Sequence, residues 1–191
     1  EGSGQKEKSY DLYSRLLKDR IVFIGKAFDS DLSNSVVAQL LFLEADNPDS
    51  DITIYINSPG GIVSACLGIY DTINYIKPDV STICFGEAAS AAAFILAAGT
   101  KGKRYALINS RIMLHQVYAG AEGNIQDIKI RVREAERSNE IMLREISKIT
   151  KHSIKKVKND LDRDYFMSAE EAKEYGIIDK VFVNRGEIKR S

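Results

Sequence analysis

The chain has 191 residues, enough for one domain with a sizeable hydrophobic core. Lysine plus arginine and aspartate plus glutamate each number 27, so no net charge draws the protein to nucleic acid or to an anionic membrane. Its apolar runs are far shorter than the roughly 20 residues that span a bilayer, and no signal-peptide pattern opens the sequence. We therefore expect a cytoplasmic protein, or one of an organelle stroma or matrix if a transit peptide has been removed.

The first part of the sequence alternates short apolar runs with amphipathic segments. Residues 1–9 are polar and predict a flexible arm, whereas residues 10–191 predict a single domain. The predicted strands cover residues 21–24, 51–56, 80–85, 104–108 and 112–115. The predicted helices cover residues 10–18, 31–44 and 61–76, with a further helix of small residues that ends at Gly99. This alternation predicts an α/β fold with a largely parallel sheet, whose functional groups gather at the carboxyl ends of the strands.

The longest predicted helix spans about residues 124–150. At about 1.5 Å per residue, such a helix extends about 40 Å, which is more than a domain of this size needs. It carries apolar residues on more than one side, so we interpret it as a projecting helix that packs against another subunit. The alternative is a core helix wrapped by its own chain. The segments that follow are a basic turn with a short helix (151–158), a polar loop (160–166), a capped helix (168–175) and a last strand (177–183).

A strand, a sharp turn and a small-residue helix over residues 80–99 form the most informative stretch. Gly86 permits the turn, and Ser90 falls just inside the helix N-terminus, where unpaired N–H groups carry partial positive charge. A serine hydroxyl in this place can attack a carbonyl carbon while nearby amides stabilise the oxyanion. Gly60 and Gly61, which follow the preceding strand, can supply a further N–H group. The alternative is that Ser90 is one more small residue in a tightly packed helix.

A serine nucleophile needs a general base, and the chain has two histidines. His115 ends an apolar strand near the sheet edge from which Ser90 emerges, and this position favours it as the base. His152 lies among lysines and polar residues, so we expect it to be exposed and without a catalytic role. A neutral imidazole also needs a carboxylate to fix its tautomer, and spacing alone does not choose between Asp162 and Asp164.

The two cysteines, Cys66 and Cys84, both lie in apolar patterns. Their separation has no metal-ligand spacing, so we interpret them as buried thiols of a protein in a reducing compartment. The sequence therefore predicts neither a disulfide framework nor a metal centre.

Several motifs stand in one order over residues 10–183. The most specific are Asn-Ser-Pro-Gly-Gly at 57–61, Ala-Ala-Ser at 88–90, Arg-Ile-Met-Leu-His-Gln at 111–116 and Asp-Arg-Asp at 162–164. Together they resemble the family of Clp protease proteolytic subunits, ClpP. The resemblance implies a crotonase-like α/β fold with a β-α-β superhelical core and a projecting handle helix at about 124–150.

The same resemblance implies an assembly and partners. It implies a barrel of two stacked heptameric rings that encloses the proteolytic sites, and a hexameric AAA+ unfoldase that feeds in unfolded polypeptides. ATP is then used by the unfoldase, so we expect no cofactor and no metal in this subunit. We also expect no nucleic-acid or membrane partner.

Individual roles follow from the resemblance as well. It implies that Ser90 is the nucleophile, His115 the base and Asp164 the acid, which selects one of the two carboxylates that spacing left open. It further implies that the backbone amides of Gly61 and Ala91 form the oxyanion hole. The family motif matches this sequence at each of these positions.

Two further residues match the family pattern, and this sequence departs from that pattern at three places. Asp162 and Arg163 match a pair that bridges the two rings, rather than catalytic groups. Ala91-Ala92 follows the serine where the family usually has Met-Gly or Met-Ala, and an amide is still supplied there. Val117 and Ile108 stand where the family usually has proline, and these changes can loosen the strand that carries the base.

Three other classes of protein are alternatives to a serine peptidase. A catalytically silent barrel subunit would lack Ser90, His115 or Asp164, and all three are present. An acyl-CoA hydratase or isomerase of the same fold uses carboxylate acid–base groups and requires no Ser/His/Asp set. A pure binding protein would not react with a fluorophosphonate at Ser90. We therefore favour ATP-dependent protein degradation by a serine endopeptidase subunit.

Overall fold

The computed structural model describes residues 12–184. The expected flexible arm, residues 1–9, lies outside the described residues, so the division into an arm and one domain over residues 10–191 stays a prediction. Within residues 12–184, no helix combines the length and the hydropathy that crossing a membrane requires.

Short runs rich in β-branched and aromatic residues form the strands. They are β1 (Ile21–Ile24), β2 (Ile52–Ser58), β3 (Val80–Ala89), β4 (Arg104–Leu107), β5 (Arg111–Leu114), β6 (Tyr165–Ser168) and β7 (Lys180–Phe182). The helices are α1 (12–18), α2 (Ser30–Asp46), α3 (Val63–Tyr75), α4 (Ala91–Ala98), α5 (Ile125–Thr150), α6 (Ile154–Asp160) and α7 (Ala169–Tyr175). Helices alternate with strands along the chain, so the predicted α/β fold class is confirmed.

The sheet is centred on β3. Five strands run parallel in the order β1-β2-β3-β4-β7. The ten-residue β3 pairs with β4 over its first part and with β5 over its last part, so β4 and β5 lie end to end along it. The strand β6 then pairs antiparallel with β5. The carboxyl ends of β3 and β5 therefore lie side by side, with Ala89 opposite Met113.

The helix α4 is buried on all sides. Every residue from Ala91 to Ala97 is at most 1% exposed. A helix that is apolar all round is stable only in a protein interior, where small side chains let neighbouring backbones approach closely. The ring of Phe94 contacts the ring of Tyr70 on α3, with centroids 4.8 Å apart. This packing gives the residue that precedes α4 a rigid support.

The helix α5 matches the predicted long helix of about 124–150. Its first half is exposed, and Ile125 and Ile130 are 71% and 60% exposed. Its buried residues lie near its C-terminus and include Leu143 and Ile146. The rest of the domain therefore covers only the last turns, and the helix fits a projecting handle rather than a core helix wrapped by its own chain.

Gly86 does not end the third strand as the sequence predicted. Residues 85–87 of β3 lie opposite the single residue Asn57 of β2, and this mismatch forms a bulge. Gly86 adopts a φ of +79°, and the Glu87 N–H donates a hydrogen bond to Asn57 Oδ1 at 3.1 Å. Because this side chain replaces a ladder bond, the strand continues to Ala89 and the sharp turn comes later.

Two segments near the C-terminus also differ from their predictions. Part of the predicted polar loop over residues 160–166 is a strand, because Tyr165 on β6 pairs with Leu114 on β5. The last strand is shorter than the predicted 177–183, because the amides of residues 177–178 donate to the carbonyl of Ala172 at the end of α7. In both segments, long-range or capping contacts override the local pattern.

His152 is half-buried rather than exposed, which corrects a third prediction. Its imidazole meets the ring of Tyr175 with centroids 4.6 Å apart. The Tyr175 hydroxyl donates to Asp160 Oδ2 at 2.8 Å, and the Lys156 ammonium donates to the same oxygen at 2.6 Å. The charged residues around His152 are thus partly paired within a packed cluster on α6 and α7.

Candidate active site

Ser90 occupies a strained turn between β3 and α4, which we call the elbow (residues 89–91). Its φ is +54° and its ψ is −120°, a combination that residues with a Cβ rarely adopt and that costs about 1–3 kcal/mol. The Ser90 N–H donates to the Met113 carbonyl at 2.7 Å, and the Ser90 carbonyl accepts from the Phe94 N–H at 3.1 Å. This strand–turn–helix geometry exposes a serine hydroxyl at the end of a sheet strand.

Gly60 allows the chain to pass directly behind the elbow. A Cβ built on Gly60 would lie 2.6 Å from the Ala89 carbonyl oxygen and 2.8 Å from the Ser90 Cβ. Gly60 also has a φ of +91°, which disfavours any residue with a side chain. Sequence reasoning gave Gly60 no role separate from Gly61, although its place in a Gly-Gly pair after a strand was a weak signal.

The Gly61 N–H points away from Phe28, with which Gly61 forms an isolated parallel β-bridge. The Phe28 N–H donates to the Gly60 carbonyl at 2.9 Å. The Ile62 N–H donates to the Phe28 carbonyl, also at 2.9 Å. In a parallel bridge of this kind, the N–H of the central residue faces the opposite direction. Within the described residues, the Gly61 N–H donates no hydrogen bond to another group.

Ala91 supplies the second amide of the expected oxyanion hole. It is the first residue of α4, and the first four N–H groups of a helix have no acceptor within that helix. The position that a Cβ on Gly60 would occupy is 3.1 Å from the Ala91 nitrogen, so the Gly60-Gly61 turn lies beside this amide. The helix dipole adds partial positive charge at this end, which suits a developing oxyanion.

His115 follows β5 and reaches Ser90. Its Nε2 atom lies 2.8 Å from Ser90 Oγ, within hydrogen-bond distance. The contact results from the pairing of β5 with the last part of β3, which sets Met113 beside Ala89 and brings both strand ends to one place. The His115 side chain is 24% exposed, so the protein shields most of its ring from water.

Asp164 is the carboxylate that lies near His115. Its Oδ1 is 3.6 Å from His115 Nδ1, which is beyond an ordinary hydrogen bond, and its side chain is 61% exposed. The pairing of Tyr165 with Leu114 brings Asp164 close to His115, because Asp164 directly precedes Tyr165 and His115 directly follows Leu114. The other carboxylate considered, Asp162, makes its ion pair with Arg163 instead.

Gln116 ties the segment before β6 to the end of the strand that precedes His115. Its backbone N–H donates to the Leu161 carbonyl at 2.7 Å, and its side-chain Nε2 donates to the Asp162 carbonyl at 2.9 Å. These bonds hold the acid loop, which we define as residues 162–164, against the residue that follows His115. Sequence reasoning noted Gln116 only as part of a motif and missed this contact.

Asp162 and Arg163 point into solvent. Their side chains are 66% and 88% exposed, and Arg163 Nε lies 3.8 Å from Asp162 Oδ2. An exposed pair at this distance contributes little to the stability of the chain itself, about 0–1 kcal/mol. Both side chains are therefore available for contacts outside the chain.

The two cysteines are buried and free, and Cys66 lies directly beneath the elbow. Its Sγ donates to the Ala91 carbonyl at 3.4 Å. Burial raises the pKa of the Cys66 thiol well above its usual range, and burial also raises the pKa of Cys84 to about 11. Both stay protonated at neutral pH, so neither is a reactive thiolate. Within residues 12–184, no cluster of three or more histidine, cysteine or acidic side chains could hold a metal ion.

The elbow thus combines a strained serine, an imidazole at hydrogen-bond distance, a nearby carboxylate and two amides without acceptors among the described residues. A comparison with protein-family models gives a match to the family described as Clp protease, over residues 4–185. The matched region covers nearly the whole chain, and the resemblance noted from the motifs is confirmed. The α/β sheet with its projecting α5 is the ClpP-type fold, and this chain belongs to the Clp protease family.

Proposed function

We propose that this chain is a serine endopeptidase in which Ser90 is the nucleophile, His115 the general base and Asp164 the acid that orients the base. Membership of the Clp protease family makes the chain a proteolytic subunit, and the serine mechanism is the finer step. The observation that carries it is the 2.8 Å contact between Ser90 Oγ and His115 Nε2 on the strained elbow. A hydroxyl that donates to an imidazole is the arrangement that activates a serine.

The mechanism follows from these contacts. As Ser90 Oγ attacks the carbonyl carbon of a peptide bond, its proton passes to His115 Nε2, and the carbonyl oxygen becomes an oxyanion. The N–H groups of Gly61 and Ala91 donate hydrogen bonds to that oxyanion. The C–N bond then breaks, and the imidazolium returns the proton to the leaving amine.

Deacylation repeats the same steps with water. His115 removes a proton from a water molecule, whose oxygen attacks the acyl-enzyme, and the proton then returns to Ser90 Oγ as the acid product leaves. Asp164 favours the imidazolium that forms in both halves of the reaction, because its carboxylate lies on the Nδ1 side. The cycle needs no metal and no cofactor.

We further propose that the subunit works in a barrel of two stacked heptameric rings. A single domain cannot enclose a chamber, and exposed apolar residues on α5, such as Ile125 and Ile130, need a covering surface. In this proposal α5 packs against the opposite ring, and the exposed Asp162 and Arg163 bridge the two rings. A hexameric AAA+ unfoldase uses ATP and delivers unfolded polypeptides, in the cytoplasm or in an organelle stroma or matrix.

A fluorophosphonate probe tests the serine mechanism directly. We expect stoichiometric labelling of the wild-type protein at Ser90, located by peptide mass mapping, and no labelling of Ser90→Ala. Ser138→Ala, which removes a hydroxyl from α5, is the matched control and should label normally. A wild-type protein that hydrolyses a short fluorogenic peptide yet shows no label at Ser90 would refute the assignment.

The particle mass tests the assembly. Native mass spectrometry of the wild-type protein should give fourteen subunits, whereas Arg163→Ala should give single rings or smaller species with poor activity. The expected cost of leaving one partner of a buried ring-to-ring charge pair alone is on the order of 3–5 kcal/mol. Lys155→Ala removes an exposed cation from α6 and should leave the mass unchanged. A full-size Arg163→Ala particle with normal turnover contradicts the bridging role.

A further inference from the structure

The position of His115 depends on backbone contacts more than on its carboxylate. Asp164 Oδ1 lies 3.6 Å from His115 Nδ1, too far to fix the ring by a hydrogen bond. The ladder of β5 ends at Leu114, so the sheet does not hold the residues that follow His115. Whatever fixes the backbone immediately after His115 therefore also fixes the imidazole beside Ser90 Oγ.

Val117 is the last fixed point before an exposed stretch of chain. Its N–H donates to the side-chain Oδ1 of Asn139 at 2.9 Å, and both residues are half-buried. The next residue, Tyr118, is 90% exposed, and the chain stays exposed as far as the start of α5. We call the hydrogen bond between Val117 and Asn139 the clasp. It complements the bond from the Gln116 N–H to the Leu161 carbonyl.

Asn139 stands in α5 at the point where that helix begins to pack on the domain. The helix is mostly exposed before it, whereas Leu143, one turn later, is buried. Asparagine is a poor residue for a helix interior, because its side chain competes for backbone hydrogen bonds. It also interrupts the apolar stripe of α5. The clasp supplies a reason for an unfavourable residue at this position.

We propose that Asn139 is a positioning residue, which holds the Val117 amide and thereby keeps His115 Nε2 within reach of Ser90 Oγ. The proposal rests on the serine mechanism given above. The imidazole is only two residues from the clasped amide. Release of that amide leaves the Gln116 N–H bond to Leu161 as the backbone contact on this side of the base, so the chain that carries the imidazole loosens. Misplacement of a catalytic group by about 1 Å costs on the order of 100-fold in rate, and partial loosening costs less.

The clasp depends on an amide hydrogen at position 117. Valine has an N–H to donate, whereas proline would have none. Asn139 can therefore matter to the base only while position 117 carries an N–H. This dependence separates the clasp from a general effect of Asn139 on helix stability, because alanine is a better helix former than asparagine.

The first experiment measures kcat and KM for a short fluorogenic peptide. Asn139→Ala should lower kcat by about tenfold and leave KM within about twofold, because the base is affected and the substrate site is not. Asn139→Asp keeps an Oδ acceptor and should stay within about threefold of wild type. Glu140→Gln, the adjacent exposed residue, is the matched control. An unchanged kcat in Asn139→Ala overturns the proposal.

A second experiment uses the Val117→Pro background, which lacks the amide hydrogen. There, Asn139→Ala should cause no further loss of kcat, since the clasp is already absent. A further tenfold loss in that background would show that Asn139 acts in another way. If Val117→Pro does not assemble, the contrast between Asn139→Ala and Asn139→Asp still decides the matter.

Hydrogen exchange separates failure of the clasp from failure of the proposed function. The Val117 amide should exchange slowly in the wild-type particle and faster in Asn139→Ala, while the Gln116 amide keeps its protection. Equal exchange at Val117 in both proteins overturns the clasp, and faster exchange with unchanged kcat overturns its role in positioning the base. A wild-type protein that does not label at Ser90 refutes the serine mechanism alone, because the exchange result does not depend on it.

Discussion

The elbow and the acid loop both approach His115 but are built in opposite ways. The elbow lies between a buried strand and a buried helix, and Gly60 packs directly against it. The acid loop over residues 162–164 lies at the surface, where its three side chains are 61% to 88% exposed. The Ser90–His115 contact is 2.8 Å, whereas the His115–Asp164 contact is 3.6 Å.

This difference follows from how each region is held. The elbow is fixed by buried backbone hydrogen bonds and close packing, which move little in response to solvent. The acid loop is held by the Gln116 contacts and otherwise faces water, where exposed charges interact weakly and are screened by salt. A single chain therefore brings Ser90 and His115 into contact, while Asp164 lies at the solvent-exposed surface.

Removal of the Ser90 hydroxyl should have the largest effect on activity. Ser90→Ala deletes one oxygen from a half-buried side chain and should leave the fold and the particle mass unchanged. Peptide hydrolysis should fall by a factor on the order of 10⁴ or more, because the loss of one triad member removes most of the nucleophilic catalysis. The measurement is steady-state turnover of a fluorogenic peptide beside native mass spectrometry.

The two histidines provide the control for this test. His115→Gln should lose activity to a similar extent, since the base is then absent, while His152→Gln should keep near-wild-type turnover because its ring packs on Tyr175 in another cluster. An inactive His152→Gln protein with intact assembly would contradict the assignment of the base.

A side chain at position 60 should displace the elbow while leaving Ser90, His115 and Asp164 chemically unchanged. In Gly60→Ala the new Cβ would meet the Ala89 carbonyl at 2.6 Å and Ser90 Cβ at 2.8 Å, so the elbow must shift. We expect a fall in kcat on the order of 100-fold, because a shift of about 1 Å misplaces the nucleophile. Fluorophosphonate labelling at Ser90 should slow in parallel. Gly25→Ala is the matched control, since no atom lies within 4 Å of a Cβ there.

Neutralising Asp164 should have a smaller effect than changing the elbow. Asp164→Asn should lower kcat by about tenfold, because a carboxylate 3.6 Å away and 61% exposed gives limited support to the imidazolium. Asp162→Asn in the same loop should leave kcat of the assembled particle nearly unchanged. A loss for Asp164→Asn as large as that for Ser90→Ala would mean that assembly closes the gap between the acid and the base.

The buried ion pair between Arg104 and Asp179 extends the comparison of buried and exposed regions to the free energy of unfolding. Arg104 and Asp179 are 7% and 20% exposed, and two hydrogen bonds of 2.6 and 2.9 Å join their side chains. Burial by itself would raise the pKa of Asp179, but the contacts with Arg104 and with the Gly102 amide hold it below its usual value. Asp179→Asn should lower the free energy of unfolding by about 3 kcal/mol at pH 7 and leave peptide turnover unchanged where the protein is folded.

The sign of the pH dependence follows from that lowered pKa. The stability that Asp179 contributes is present above the pKa of an unfolded aspartate and is lost as pH falls through the lower pKa of the folded state. The difference between wild type and Asp179→Asn in urea unfolding should therefore shrink below about pH 4. The exposed pair Lys26–Asp29, tested as Lys26→Ala, should change stability far less than Asp179→Asn does, because water and salt screen an exposed pair. Equal losses for both pairs would contradict the distinction between buried and exposed charges.

The sequence by itself determined the α/β class, the extent of the long helix and the neighbourhood of Ser90 and His115. These features depend on residues that are close together in the sequence: apolar periodicity, a glycine before a small-residue helix, and a histidine at the end of a strand. The predicted and observed bounds of α5 agree closely for this reason.

Only the tertiary structure decided how distant segments meet. The strand β6, the contact between Gly60 and Ser90, the burial of His152 and the clasp between Val117 and Asn139 all join residues far apart in the chain. A local pattern does not specify such contacts, because each depends on the register of strand pairing and on space left by other side chains. The approach of Asp164 to His115 is of this kind, since it follows from the pairing of β5 with β6 rather than from the spacing of the acidic residues.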